Sequence, residues 1–217
     1  MLEVPLPDDL EQLDGPLPLD SGPLRRQAAE ILKEASAVAR PKAAWRLSLL
    51  GGSAASEVVT IDSVAFRSPL LAQNLAGLGR VFPFLATEGL ELGDWAADLP
   101  PNRKPAAFII RYMALKAAEN RLEAELKRLF ALKSFGAMSP GVLPDWPLSG
   151  QGQLFELLGW QAEALGVSLR RDVFWMSPEM SSSGLYFETE AGFHNCRLCP
   201  LDRCPLRRFE RDPQDES

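Results

Sequence analysis

The sequence predicts a mixed helix-and-strand domain. Two segments carry apolar residues at steps of three and four, which is helical spacing, while several shorter ones alternate or run continuously apolar between turn residues, as strands do. The composition can supply one core for both: 46% of the 217 residues are apolar and 24% charged, the ordinary globular balance, which excludes wholesale disorder and a disulfide-scaffold miniprotein. At about 150 residues per domain, the length fits one domain with terminal extensions. Twenty-three Lys and Arg against 29 Asp and Glu leave a net charge of −6, so the chain lacks the positive field that makes nucleic-acid binding cheap, and neither DNA nor RNA is an expected partner.

Residues 1–22 read as a Pro- and Asp-rich lead-in, with Pro5, Pro7, Pro16, Pro18 and Pro23 breaking any helix. Order is expected from about Leu24, where Leu24, Ala28, Ile31, Leu32, Ala35 and Val38 form one face of a helix that ends before Pro41. Trp45, Leu47 and Leu49 then alternate with polar residues, as do Val59 and Ile61, on either side of a turn-like GGSAAS, which predicts a hairpin. Ser68-Pro69 has the form of an N-cap followed by proline at the first helical position, opening a short helix closed by Gly77 or Gly79. The run 81–87 is nearly all apolar and predicts a buried strand, with Pro83 at a bulge or an edge.

The longest periodic stretch is 106–130. Phe108, Leu115, Leu122 and Leu129 recur every seven residues beside a companion row of Tyr112, Glu119 and Leu126, giving a core-facing stripe. Glu119 lies in that stripe, where a carboxylate is costly unless paired. It is either a site residue or an acid that reaches the stripe's edge or pairs with an arginine. A Ser-, Pro- and Gly-rich loop covers 134–150, long enough to suggest a binding element. Ser149 is placed to cap a helix carrying Leu154, Leu157, Leu158, Ala162 and Leu165 that stops at Gly166; strands are expected at 173–176 and around Tyr186. Ser181-Ser182-Ser183 reads as a polar strand opening or, less readily, as an anion nest.

The residue inventory restricts the chemistry. His194 is the single histidine, so no site needing two imidazoles can be built and no nucleophile–base pair can be nominated. Cys196, Cys199 and Cys204 stand in a C-x2-C-x4-C spacing that lets three thiolates converge on one metal, with His194 or an exogenous fourth ligand. Five arginines against two acids between positions 196 and 211 would lower the thiolate pKa values and favour an anionic iron–sulfur cluster over zinc. A structural zinc knuckle and simple buried cysteines are the alternatives. Reduced cysteines, an acidic N-terminus without an apolar leader segment and no 18-residue apolar run predict a cytoplasmic protein without a membrane partner.

The order of several segments resembles the activation domain of cobalamin-dependent methionine synthase and its free-standing relatives. The segments are SPLLAQNLAGLGRVFPFLATEGLELGDW (68–95), AAENRLEAEL (117–126), SPGVLPDWPLSGQGQLFELLG (139–159), GVSL (166–169) and MSPEMSSSGLYF (176–187). The resemblance spans about residues 20–190. It implies an α+β fold with a twisted, mainly antiparallel sheet and flanking helices, organised as a lead-in at 1–22, an activation-like domain at 23–190 and a Cys-rich metal-binding tail at 191–217.

It also implies a role in reductive reactivation. Such a protein docks a corrinoid (cobalamin)-binding protein or methionine synthase subunit and presents S-adenosylmethionine to its cobalt, with the tail's cluster a possible electron donor. Any enzyme activity would belong to that methyltransferase system. Carried over residue by residue, Pro140 and Gly141 match the family's Arg-x-x-Pro-Gly-Tyr loop, Tyr186 the ligand-contacting tyrosine of its Ser-Gly-x-Tyr-Phe strand, and Glu119 a family glutamate. The loop arginine is replaced by Ala137, with Lys133 or Arg111 as alternative cations, and the loop tyrosine by Val142. These departures favour a second reading: a docking module that has lost S-adenosylmethionine binding and carries a structural zinc tail.

Overall fold

A computed structural model of the chain describes residues 1–7, 22–51, 57–189 and Phe193. In order, the elements are β1 (Leu2–Glu3), α1 (Gly22–Val38), β2 (Lys42–Trp45), β3 (Ser48–Gly51), β4 (Val58–Ile61), β5 (Val64–Arg67), α2 (Pro69–Asn74), β6 (Arg80–Thr87), α3 (Leu90–Asp98), α4 (Lys104–Phe130) and β7 (Phe135–Met138). A 3₁₀ turn at Leu148–Gly150 then leads into α5 (Gln151–Leu158), α6 (Trp160–Ala164), β8 (Ser168–Arg170), β9 (Trp175–Ser177) and β10 (Ser181–Glu188).

The apolar run at 81–87 becomes β6, the axis of an eight-stranded open sheet. Along one side it pairs with β2 at its C-terminal half (Ala44↔Leu85) and β3 at its N-terminal end (Ser48↔Val81); along the other it pairs with β10 (Leu185↔Pro83). The sheet continues from β2 to β1, from β3 to β4 and β5, and from β10 to β7, every pair antiparallel. The expected α+β class with a mainly antiparallel sheet and flanking helices is therefore what the chain adopts. The expected hairpin is β3–β4, with Leu50 opposite Ile61.

Pro83 sits in the middle of this sheet, at neither an edge nor a bulge. Its carbonyl accepts from Arg46 N at 3.1 Å. In an antiparallel ladder a residue's N and O face the same neighbour, so the missing N–H faces the break between β2 and β3, where no bond is required.

Both faces of the sheet are covered. On one, Phe82, Phe84, Ala43 and Tyr186 pack against Leu115, Ala118, Leu122 and Leu126 in the second half of α4. The first half of α4 packs instead on α1 and α3 through Ala106, Ile109, Ile110 and Met113. It is buried nearly all round and needs no single stripe. Opposite, Val81, Leu185 and Phe187 meet Leu154, Leu157, Trp146 and Leu71, while Leu85 and Ala44 meet Leu158 and Leu165.

The helix ends follow local chemistry. Ser68 caps α2, its hydroxyl accepting from Leu71 N at 3.0 Å with Pro69 at the first position. A second acceptor reaches the same end from far along the chain: Asp145 Oδ2 takes Leu70 N at 2.7 Å. Lys127 and Arg128 complement the dipole in the last turn of α4.

Several expectations are corrected. Order does not begin at Leu24: β1 pairs with β2, Leu6 is buried in the α1–α4 core, and Pro23 sits in the first turn of α1 rather than breaking it. Leu47 and Leu49 are exposed while Ser48 is buried, although the register against β6 runs unbroken from Trp45↔Phe84 to Ser48↔Val81: the odd positions keep the α4 side and Ser48 faces the α5 side, so it is the cover and not the parity that differs. Leu129 is exposed at the end of α4, beyond the sheet's cover. The 134–150 loop contains β7, and the single helix expected at 154–165 is two, split where Gly159 takes φ +53°. Gly150, not Ser149, precedes α5, and no side chain caps it. The strand expected at 173–176 is the short β9, which among the described residues pairs only with β8, and Val173 and Trp175 are exposed.

Candidate functional site

Alternation along β10 sends Ser182, Gly184 and Tyr186 toward α4 and Ser183, Leu185 and Phe187 toward α5. The α4 side forms a polar strip within an otherwise apolar layer. Ser182 donates to Glu119 Oε1 at 2.7 Å, and Tyr186 donates to Glu123 Oε1, one helical turn on, at 3.2 Å. Lys116, itself largely buried, pairs with Glu119. Glu119 thus has its cation, a lysine where an arginine was one expectation. With Glu119 taking both Lys116 and the Ser182 hydroxyl, the strip is suited to holding a polar group.

Tyr186 is buried, stacked on Phe84 with centroids 4.1 Å apart and edge-on to Phe135 at 5.0 Å. Directly opposite it on β7 stands Ala137, so the position where the family resemblance expects an arginine shares the tyrosine's face. Of the alternative cations, Lys133 is exposed ahead of β7 and Arg111 is committed elsewhere, as described below. Pro140 is buried, and Gly141 adopts φ +81°, a conformation that only glycine takes without strain. Gly141 N donates to Trp146 O at 2.7 Å, closing the turn on itself. The β10–β7 contact is tight: a Cβ on Gly184 would lie 2.3 Å from Met138 O and 2.8 Å from Ser139 Oγ.

The serine triplet does not form a nest. Ser181 Oγ lies 2.8 Å from Pro178 O and 2.9 Å from Thr87 Oγ1, Ser182 goes to Glu119, and Ser183 donates to Gln151 Oε1 at 2.6 Å on the opposite face. The hydroxyls diverge because β10 is extended through the triplet.

A second polar group went unread in the sequence. Glu88, just beyond β6, is wholly buried, and Arg111 meets it with two hydrogen bonds, Nε at 2.7 Å and Nη2 at 2.6 Å. Burial pushes the Glu88 carboxyl above its ordinary value against the opposing pull of Arg111, while the same contact holds Arg111 firmly charged. The available signal was an arginine inside the apolar run AAFIIRYMAL, a placement that demands a buried partner.

Cys196, Cys199, Cys204 and His194 lie outside the described residues. Among the described residues no three His, Cys, Asp or Glu side chains are grouped to hold a metal, and no helix is long and apolar enough to cross a membrane. Phe193 is described: its carbonyl accepts from Ala137 N at 3.0 Å, fixing the chain beside β7 just ahead of that tail.

No family model matches the chain, and no curated protein matches it. Among solved structures the chain is similar to a crystal structure of the MetH reactivation domain bound to AdoHcy, with a TM-score of 0.59 at 18% identity over 82% of this chain and 71% of that one. At that identity the likeness is one of fold.

Proposed function

We propose that this protein is an accessory factor of a corrinoid-dependent methyltransferase, docking a cobalamin-carrying partner and supporting reductive methylation of its cobalt. The observation that carries the reading is the fold shared with a reactivation domain. In this role S-adenosylmethionine supplies the methyl group and the partner's corrinoid carries the redox chemistry. The chain's own residues bind and orient: the Pro140-Gly141 turn, Tyr186 and Glu119 line the methyl donor's side of the contact.

A second reading is favoured by Ala137 and by the commitment of the Tyr186 hydroxyl to Glu123. The protein would then keep the docking surface without holding S-adenosylmethionine. Equilibrium binding of labelled S-adenosylmethionine, paired with a cob(II)alamin reduction assay on a corrinoid protein, separates the two. Saturable binding together with faster conversion to methylcobalamin supports the first; docking without binding supports the second; neither binding nor docking refutes both.

The tail extends the proposal. Residues 191–217 would form a metal-binding segment after an activation-like domain at 23–190 and a lead-in at 1–22, with Cys196, Cys199, Cys204 and His194 holding an iron–sulfur cluster or zinc. Metal and sulfide analysis of anaerobically purified protein, with Cys199→Ala as control, tests this. Iron with labile sulfide, lost in the variant, supports electron delivery from the tail; zinc supports a structural tail, and no bound metal refutes the centre.

A further inference from the structure

We propose that the cleft between α3, the first half of α4 and the turn at Ser177–Pro178–Glu179 binds a small zwitterion of the α-amino-acid class with an apolar side chain. The cleft encloses about 350 Å³, within the range of small-molecule sites. It shares no residue with the Glu119–Tyr186 strip, so it stands independently of the function proposed above.

Charges of both signs face this space: Lys104 and Arg111 from α4, Asp94 from α3, and Glu179 from the turn. Among the described residues, the side chains of Asp94, Lys104 and Glu179 have no hydrogen-bond or ion-pair partner, and Glu179 acts on the Glu88–Arg111 pair only through space. A simple anion would meet Lys104 and Arg111 but also two carboxylates; a simple cation would meet the reverse. A ligand carrying an ammonium and a carboxylate close together answers both sets at once. Arg111 is already oriented for this, because Glu88 holds its Nε and Nη2 and leaves Nη1 uncommitted.

Gly93 supports a cavity rather than a packing defect. Glycine within a helix costs about 1 kcal/mol relative to alanine, yet a Cβ here would meet only ordinary contacts, 3.7 Å from Glu88 Oε1 and 4.0 Å from Pro178 Cβ. No close approach requires the glycine; its missing side chain leaves the cleft open. Leu90, Ala97 and Pro178 supply apolar wall for a side chain.

The test is titration of the full chain with L-leucine, followed by calorimetry and amide chemical shifts, beside two half-ligands: 3-methylbutylamine, which lacks the carboxylate, and 4-methylpentanoate, which lacks the amine. Saturable L-leucine binding with shifts at α3 and residues 177–179 is expected, each half-ligand binding about tenfold or more weakly for the lost charge-assisted bonds. Lys104→Ala and Glu179→Gln should each weaken L-leucine by a similar factor, and Gly93→Leu, which grows into the cleft, should abolish binding. The proposal is overturned if L-leucine does not saturate by about 20 mM, beyond the millimolar range of weak specific sites, if the half-ligands bind equally well, or if the two charge variants leave affinity unchanged. Those charge variants decide the matter even where Gly93→Leu fails to fold.

Discussion

Replacing Arg111 by Met would strand Glu88 in the interior. The Glu88 carboxylate is wholly buried, both of its oxygens are held by Arg111, and Glu179 adds repulsion from the adjoining turn. Removing one partner of such a pair leaves an uncompensated charge, a loss of about 3–5 kcal/mol. The loss depends on pH with a definite sign. Burial already places the Glu88 pKa in the folded chain above its value of 4.5 in the open chain, and without Arg111 it rises further. The folded state then binds more protons than the unfolded one, so stability falls as pH rises from the open-chain value through the raised folded-state value. Urea unfolding at about pH 5 and pH 8 should show the larger deficit at the higher pH. The double variant Arg111→Met/Glu88→Leu should regain most of the loss, since an apolar pair removes both desolvation costs. A single-variant loss below about 1 kcal/mol, a pH-independent loss, or a double variant no better than the single would refute this account of the pair.

Three further outcomes are expected in the same unfolding assay. Gly184→Ala should destabilise by about 1–3 kcal/mol or more, because its Cβ would be driven against the Met138 carbonyl, which the β7–β10 ladder holds in place. Asp145→Ala should cost about 1 kcal/mol by uncapping Leu70 N, despite lying 75 residues from α2. Ser48→Ala should be neutral or stabilising by up to about 1 kcal/mol, because the buried Ser48 hydroxyl has no hydrogen-bond partner among the described residues.

What could be read from the sequence was what local chemistry decides. The Ser68-Pro69 cap, the α1 face and the continuous apolar run of β6 each owe their form to neighbours in sequence. What escaped was imposed from a distance. Phe-Gly-Ala-Met has little strand character of its own, and β7 exists because β10 pairs with it. The exposure of Leu47 and Leu49 depends on how far along the sheet α4 packs, which their own alternation does not state. Of the candidate residues, the structure brings Tyr186 and Glu119 onto one strip between β10 and α4, while Pro140 and Gly141 form a self-closed turn beyond β7. Asp145 as a cap, and Glu88 as the partner of Arg111, needed the fold to bring residues 75 and 23 positions apart into contact.

The position of β10 in the chain has a consequence for how the molecule assembles. Its partner across the sheet, β6, lies 94 residues earlier at the Ser181–Thr87 contact, and among the described residues β7 has no strand partner other than β10. Until β10 arrives, β6 presents an unpaired apolar edge and β7 has no ladder to join. Closing so long a loop before any pairing rewards it is slow, and the waiting edge is a template for pairing between molecules. Fragments cut before residue 181 should therefore accumulate as aggregates rather than as a smaller soluble domain, whereas the longer chain, once β10 docks, buries that edge on both faces.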